Sequence, residues 1–317
     1  MKTISSRQLR HSQQLNSLSG LTTGSATDPD GSELMAERNV LVHGRLCLEV
    51  STMASQWYCE KKTDLSIRHP EIEVQSLALE SGTGGHEELS RGAVTITENE
   101  FERALKQKKK VLLQESRFEA TFDSVRIVGV PDLIEFHGQR GLLVLEFKFS
   151  GRSRPFIDRY VQAQLYGWLL QRNGFDVTRL VCAVCVIPHV YGVISRSSKL
   201  EMLTERGFLE DITAACTTAR KKMSQHPMTN GKPLTMAEGG WTLHLYRYEE
   251  SAAEILLRWS FEYWFGNREP MPTKNPAKCR SCPFNAAGAC NSTLHSPDAG
   301  FKIRRRKGLI IVQAPWC

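Results

Sequence analysis

No apolar run in the sequence approaches the roughly 18 residues needed to cross a bilayer, so no membrane-spanning helix is expected. Residues 1–34 are polar, rich in Ser, Thr, Gln and Gly, and lack the apolar core of a secretory signal. Together these absences predict a soluble, intracellular chain of the cytoplasm. The phosphate loop G-x-x-x-x-G-K-[ST] is missing, so the sequence carries no Walker-type motor, and no internal repeat is visible. Acidic residues are outnumbered, 34 against 41 Lys and Arg, leaving a formal charge of +7 that favours a polyanionic partner. With 41% hydrophobic and 24% charged residues, the 317-residue chain has ordinary globular composition. It is long enough for one large domain, or a core with one satellite.

Cysteine is not scarce. Nine are present, and a reducing compartment disfavours disulfides, so a clustered subset reads as metal ligands. Residues 1–40 carry little apolar periodicity and read as a flexible leader, and residues 293–317 as a tail with the basic run Arg304-Arg305-Arg306-Lys307. From Cys47 to Ile72, Val50, Met53, Ala54, Trp57 and Tyr58 recur at helical spacing, with Cys59 near the end of the expected helix. Residues 118–149 are the most strand-like part: one run passes from Val125 through Pro131-Asp132 to Phe136, turns at 137–141 and returns from Leu142 to Phe149. Helices are expected over about 158–173, 203–224 and 249–265, and a buried strand over Leu180–Pro188.

The strongest chemical signal is Pro131-Asp132 followed by Glu146-Phe147-Lys148. Alternation in a strand puts Glu146 and Lys148 on one face while Leu145, Phe147 and Phe149 point into the core. Asp132, from the neighbouring strand, would complete a two-carboxylate cup. Such a cup suits a hard divalent cation, Mg²⁺ or Mn²⁺, acting on a phosphodiester, with Lys148 beside the reacting phosphate. Cys279, Cys282 and Cys290 supply three thiols in one short segment after a proline-rich connector, and Cys59 is the best candidate for a fourth. Cys182 and Cys185, three apart within an apolar strand, face opposite sides and read as core. Arg152, Arg154 and Arg159 follow the acidic strand and could hold DNA phosphates.

Pro131-Asp132 and Glu146-Phe147-Lys148 spell the signature of the PD-(D/E)XK nucleases, and the chain resembles that superfamily. Gly82-Thr83-Gly84-Gly85-His86 is similar to the G-x-x-x-H element of its RecB-like branch, and Gln162 with Tyr166 to the Q-x-x-x-Y motif. Cys59 with the C-x-x-C-x(7)-C of 279–290 resembles the iron–sulfur subset: CRISPR-associated exonucleases of spacer acquisition, the AddB nuclease domain and exonuclease V. The resemblance spans roughly residues 50–292, with the motifs in the family's order.

It implies an α/β fold, a restriction-endonuclease-like core of a central mixed sheet flanked by helices, with a helical, iron–sulfur-bearing extension built from both termini. One domain would span 41–292, its core at about 115–200. By resemblance, His86, Asp132, Glu146 and the Phe147 backbone carbonyl would bind Mg²⁺ or Mn²⁺, Lys148 would be the catalytic amine, and Gln162 and Tyr166 would assist. Cys59, Cys279, Cys282 and Cys290 would hold a [4Fe–4S] cluster, with a structural zinc as the alternative. The implied activity is DNA exonuclease action on single-stranded ends or overhangs, either trimming prespacers beside CRISPR integrase proteins or in stand-alone repair. A DNA-binding iron–sulfur subunit without catalysis remains the reading from a different class.

Overall fold

Between Lys110 and Ser150 short apolar runs alternate with tight turns, and each run becomes a strand. The computed structural model describes residues 3–5, 41–75, 96–150, 155, 157–188, 208–225, 232–238, 241–291, 302–306 and 309–313. In chain order the elements are β1 (Thr3–Ser5), β2 (Cys47–Glu49), α1 (Val50–Arg68), β3 (Ile72–Gln75), α2 (Glu98–Lys106), β4 (Lys110–Gln114), β5 (Phe118–Phe122) and β6 (Val125–Gly129). There follow β7 (Leu133–His137), β8 (Arg140–Ser150), α3 (Ile157–Arg172), β9 (Val181–Pro188), α4 (Phe208–Gln225), β10 (Leu234–Glu238) and β11 (Trp241–Arg247). The C-terminal elements are α5 (Glu250–Trp264), α6 (Pro276–Arg280), α7 (Pro283–Ala286), β12 (Lys302–Arg306) and β13 (Leu309–Gln313).

The main sheet has seven strands in the order β1-β4-β7-β8-β9-β11-β10. It is mixed: β8 and β9 run parallel, joined across the face by α3, and the antiparallel pairs β4–β7, β7–β8, β9–β11 and β10–β11 surround them. Both faces are covered. One packs Val144, Ile134, Phe136 and Cys182 against α3, α1 and α5, and the other packs Leu143, Leu145, Phe147 and Cys185 against α4. Cys182 and Cys185 thus lie on opposite faces of β9, and burial pushes both thiols well above the usual range. They are core residues.

Two sequence expectations change. The strand run expected over 125–136 breaks at Val130–Asp132, because Pro131 offers no N–H for a ladder. Its first half, β6, joins β2 and β5 in a separate three-stranded sheet, and its second half, β7, joins the main sheet. Asp123 and Ser124, both with positive φ (45° and 66°), turn β5 into β6. Cys59 does not lie near the end of its helix. It sits in the middle of α1 with extended backbone (φ −169°, ψ 106°), breaking the helix there. Thr3–Ser5, within the segment read as a leader, add a strand to the edge of the main sheet, and the basic tail pairs β12 with β13 and β13 with β3.

A buried polar network ties α1 to α5 and the segment after it. Gln56 donates to the carbonyl of Ser260 (3.3 Å) and accepts from the Trp264 indole (2.7 Å). Glu60, 1% exposed, holds the Arg268 guanidinium with both oxygens and accepts from the Met271 amide at 2.8 Å. One turn on, the fully buried Asp64 is bonded by Arg68 (2.8 Å), Tyr263 (3.0 Å) and His43 (3.1 Å). Paired carboxylates of this kind cost little only while every partner is present. Arg268→Ala would strand the Glu60 carboxylate in the interior and is expected to cost about 3–5 kcal/mol. Lys106→Ala, which breaks the exposed pair with Glu102, should cost less than about 0.5 kcal/mol. Urea denaturation of the two variants checks the contrast.

Candidate active site

β7 pairs with β8 only as far as Leu133 opposite Leu145. From Glu146 onward β8 is laddered on its β9 side alone, Glu146 opposite Val184 and Lys148 opposite Val186. The backbone N–H of Phe147 would have no strand partner there, and the Asp132 side chain takes the place of one, accepting it on Oδ2 at 2.6 Å. Asp132 stands in the bend between Pro131 and β7 rather than on the strand itself. The same bond carries its carboxylate to Glu146.

Glu146 is 2% exposed. Its Oε1 is paired with the Lys148 ammonium, on the same face two residues on. Its Oε2 is buried and has no hydrogen-bond partner. Burial, then the Glu146 charge, push the Asp132 carboxyl well above the ordinary range, while Lys148 and the Phe147 amide pull the other way. Two carboxylates held together with one oxygen lacking any donor form an unbalanced anionic cup. That is the chemistry of a hard-cation site, so the residues present fit Mg²⁺ or Mn²⁺. Among the described residues no three His, Cys, Asp or Glu side chains converge on one point, so the described cup offers two carboxylates. His86 lies outside the described residues, as do Arg152 and Arg154.

Gln162 and Tyr166, one turn apart on α3, are bonded to each other at 2.9 Å, and the Tyr166 hydroxyl also donates to the Val130 carbonyl at 3.2 Å. Burial raises the Tyr166 phenol well above its usual range, with the Glu146 and Asp132 charges adding to the effect. The pair therefore sits against both carboxylates. Gly129 makes this approach possible, since a Cβ there would stand 2.6 Å from Leu169 Cδ1 and 2.8 Å from Tyr166 Cε1. Arg159 reaches Gln162 at 3.4 Å and Asp158 at 3.4 Å. With Arg45, Lys62 and Asp158 it lines a polar groove of about 400 Å³ along α1. Gln164 faces away and ties α3 to the end of β11 through the Arg247 carbonyl (2.7 Å) and the Glu249 amide (3.0 Å).

Two groups escaped the sequence reading. Glu115 follows β4, and its amide donates to the Asp132 carbonyl at 3.3 Å. Its charge adds to those raising the Asp132 carboxyl, and its backbone is left-handed, φ 47°. The only signal would have been the pairing of Gln114 with Leu133, a register that a single strand cannot reveal. Asp158, 5% exposed, has a buried Oδ1 without a hydrogen-bond partner at the start of α3. Read alone, it is an ordinary acid in the first turn of a helix.

Cys59, Cys279, Cys282 and Cys290 line one cavity, roofed by Tyr58, Lys62 and Lys278. The break in α1 puts Cys59 there. The others arrive on α6, at the N-cap of α7 and on the turn beyond, where the Cys290 amide bonds to the Phe284 carbonyl at 3.0 Å. Burial raises the Cys282 thiol, opposed by the backbone amides of Asn285 and Phe284 and by Lys62. Lys278 donates to the Tyr58 carbonyl at 2.9 Å with its ammonium 3.9 Å from the ring centroid. Sulfur donors in a half-buried cavity suit soft metals.

A family model described as the PD-(D/E)XK nuclease superfamily matches residues 68–288. Among solved structures, the chain is similar to one titled "Crystal structure of SSO0001", at 14% identity over 79% of this chain and 88% of that chain, with a TM-score of 0.40. A search of curated proteins finds no match. The family match takes in the cup, the helix behind it and two of the four cysteines of the cavity, and on that extent the chain belongs to the PD-(D/E)XK nuclease superfamily.

Proposed function

We propose that this nuclease is a metal-dependent DNA exonuclease acting at single-stranded ends, and that its cysteine cavity holds a [4Fe–4S] cluster. The observation that carries the metal reading is the buried, partnerless Oε2 of Glu146 beside Asp132 and Lys148. Asp132, Glu146 and the Phe147 carbonyl would hold Mg²⁺ or Mn²⁺, with His86 joining them by motif resemblance. A divalent ion there supplies Lewis acidity toward water and the scissile phosphate. Lys148, tethered to Glu146, keeps an ammonium where negative charge builds on the phosphorane. Gln162 and Tyr166 brace the wall behind the carboxylates, and Arg159 presents a cation to the incoming backbone. Action on ends, and the choice between prespacer trimming with integrase partners and stand-alone repair, rest on the motif resemblance.

Asp132→Asn, Glu146→Gln and Lys148→Ala should each lower cleavage at least about 100-fold, on the scale of losing a group that acts on the transition state, while leaving the fold intact. Mn²⁺ should raise the melting temperature of the wild type and not that of Asp132→Asn or Glu146→Gln. A well-folded variant with wild-type turnover would remove that residue from the cup. Gly129→Ala is expected to cost about 1–3 kcal/mol from overpacking and to slow cleavage, because Tyr166 must leave its seat.

For the cavity, Cys59, Cys279, Cys282 and Cys290 would be the ligands, and the cluster would supply a covalent tie between the break in α1 and the α6–α7 loop. Protein purified without oxygen should be brown. Cys59→Ala and Cys282→Ala should both bleach it, and Cys182→Ala and Cys185→Ala should keep the colour. A colourless protein with one bound zinc would assign the cavity to zinc instead. Colour retained in Cys59→Ala would take Cys59 out of the ligand set.

A further inference from the structure

A cleft of about 730 Å³ opens at the end of the main sheet away from the cup. Leu142 and Val181 line it where β8 and β9 begin, with the last turns of α4 along one wall and the end of β11 along the other. It lies about 13 Å along β8 from Glu146. Arg179, Arg220, Lys221 and Arg247 contribute four cations to its lining, hydroxyls come from Thr178, Thr217 and Ser224, and among the described residues no lining residue is acidic. Two neighbouring carboxylates are engaged by cations or hydroxyls, Glu135 through Oε1 alone with its buried Oε2 unpartnered. Glu135 is buried between Arg220 (3.2 Å) and Lys110 (3.3 Å), and Asp176 is bonded to Thr178 (2.6 Å) with Arg140 at 3.5 Å.

Two of the cations are built in. Arg220 donates to Glu135 and to Thr217 (3.0 Å), leaving a buried Nη1 without a partner, and Arg247 donates to the Met223 carbonyl. Arg179 and Lys221 are exposed at the mouth. We propose that this cleft is a second anchor for the phosphodiester backbone of the same DNA strand that enters the cup, an inference that rests on the nuclease reading above. Cations delivered from three different elements suit a run of phosphates better than a single anion. The one aromatic in the lining, Tyr248, has its hydroxyl bonded to Gln171 at 2.5 Å, so the cleft offers no row of rings for stacking bases. Contact is therefore with the backbone and independent of sequence. At physiological salt the Debye length is about 8 Å, shorter than the path to the cup. The cleft therefore acts on the cup only through a strand long enough to occupy both.

The test uses the full chain and the double variant Arg179→Glu/Lys221→Glu, its fold checked by thermal melting. Fluorescence anisotropy in EDTA measures binding of strands of about 4 and about 30 nucleotides over a range of salt. The wild type should bind the long strand more tightly. The variant should lose that advantage, with the slope of log K against log salt shallower by about 1.4 for two lost contacts. Wild-type affinity and slope for the long strand in the variant would overturn the proposal, and so would equal proportional losses on both lengths. Competition by polyglutamate that matches DNA in the wild type and vanishes in the variant would give the cleft to an acidic protein instead. A wild type that fails to cut DNA with Mn²⁺, yet shows the length-dependent loss, would remove the nuclease reading and leave the backbone anchor standing.

Discussion

The β7–β8 ladder ends one residue before the chemistry begins, and the cup depends on that ending. While β8 is paired on both sides, its backbone is satisfied by neighbours and its side chains must suit two covered faces. After Leu145 the β7 side is open, and an N–H buried there without a partner would cost roughly 1–3 kcal/mol. Asp132 satisfies it with a side chain, so the bond that completes the sheet also fixes a carboxylate against Glu146. The resulting repulsion is what raises the Asp132 carboxyl beyond the effect of burial alone. Lys148 offsets part of it from the same strand face. A divalent cation would offset the rest, so the cup is held ready for one by sheet geometry rather than by flexible loops.

The extension around the cysteine cavity has a different logic. The sequence reading makes a cluster the staple between the entry helix and the far end of the chain. The structure supplies a staple that needs no cofactor, in which Gln56, Glu60 and Asp64 reach residues about two hundred positions away. Glu60 immediately follows the break at Cys59, and its bidentate bond to Arg268 anchors the outgoing half of α1. With that anchor in place, a ligand set closed from Cys59 to Cys290 would order a short loop rather than the whole chain, and loop-closure entropy rises only logarithmically in any case.

Much of the cup was legible because its determinants are local. Strand alternation places Glu146 with Lys148, helical spacing places Gln162 with Tyr166, and the spacing of Cys182 and Cys185 sends them to opposite faces of β9. What was not legible depends on partners distant in sequence. No glycine or proline marks the break at Cys59. It follows from the contacts of Glu60 and Asp64 with α5 and Arg268, which no window around Cys59 contains. Pro131 is a visible breaker, yet only tertiary pairing decides that β6 leaves for a second sheet. Glu115 meets Asp132 through the β4–β7 register, which is likewise a property of two strands.

Hard and soft donors are segregated on the two sides of the first turns of α3. Carboxylates gather at the end of β8, thiols line the cavity with Tyr58 and Lys278, and Asp158 and Arg159 stand between. The links are short and physical: the Asp158 charge acts on Lys278, Arg159 bonds to both Asp158 and Gln162, and Gln162 bonds to Tyr166 against the carboxylates. Contiguity of this sort does not by itself transmit a signal, which would require an element with two arrangements biased from both ends. It does fix geometry. Lys278 is bonded to Tyr58 at the break in α1, and Asp158 and Arg159 line the groove that α1 shares with α3. The cysteine cavity and the groove therefore share one wall, Tyr58 and Lys62 of α1, so anything that orders one side of that wall orders the other.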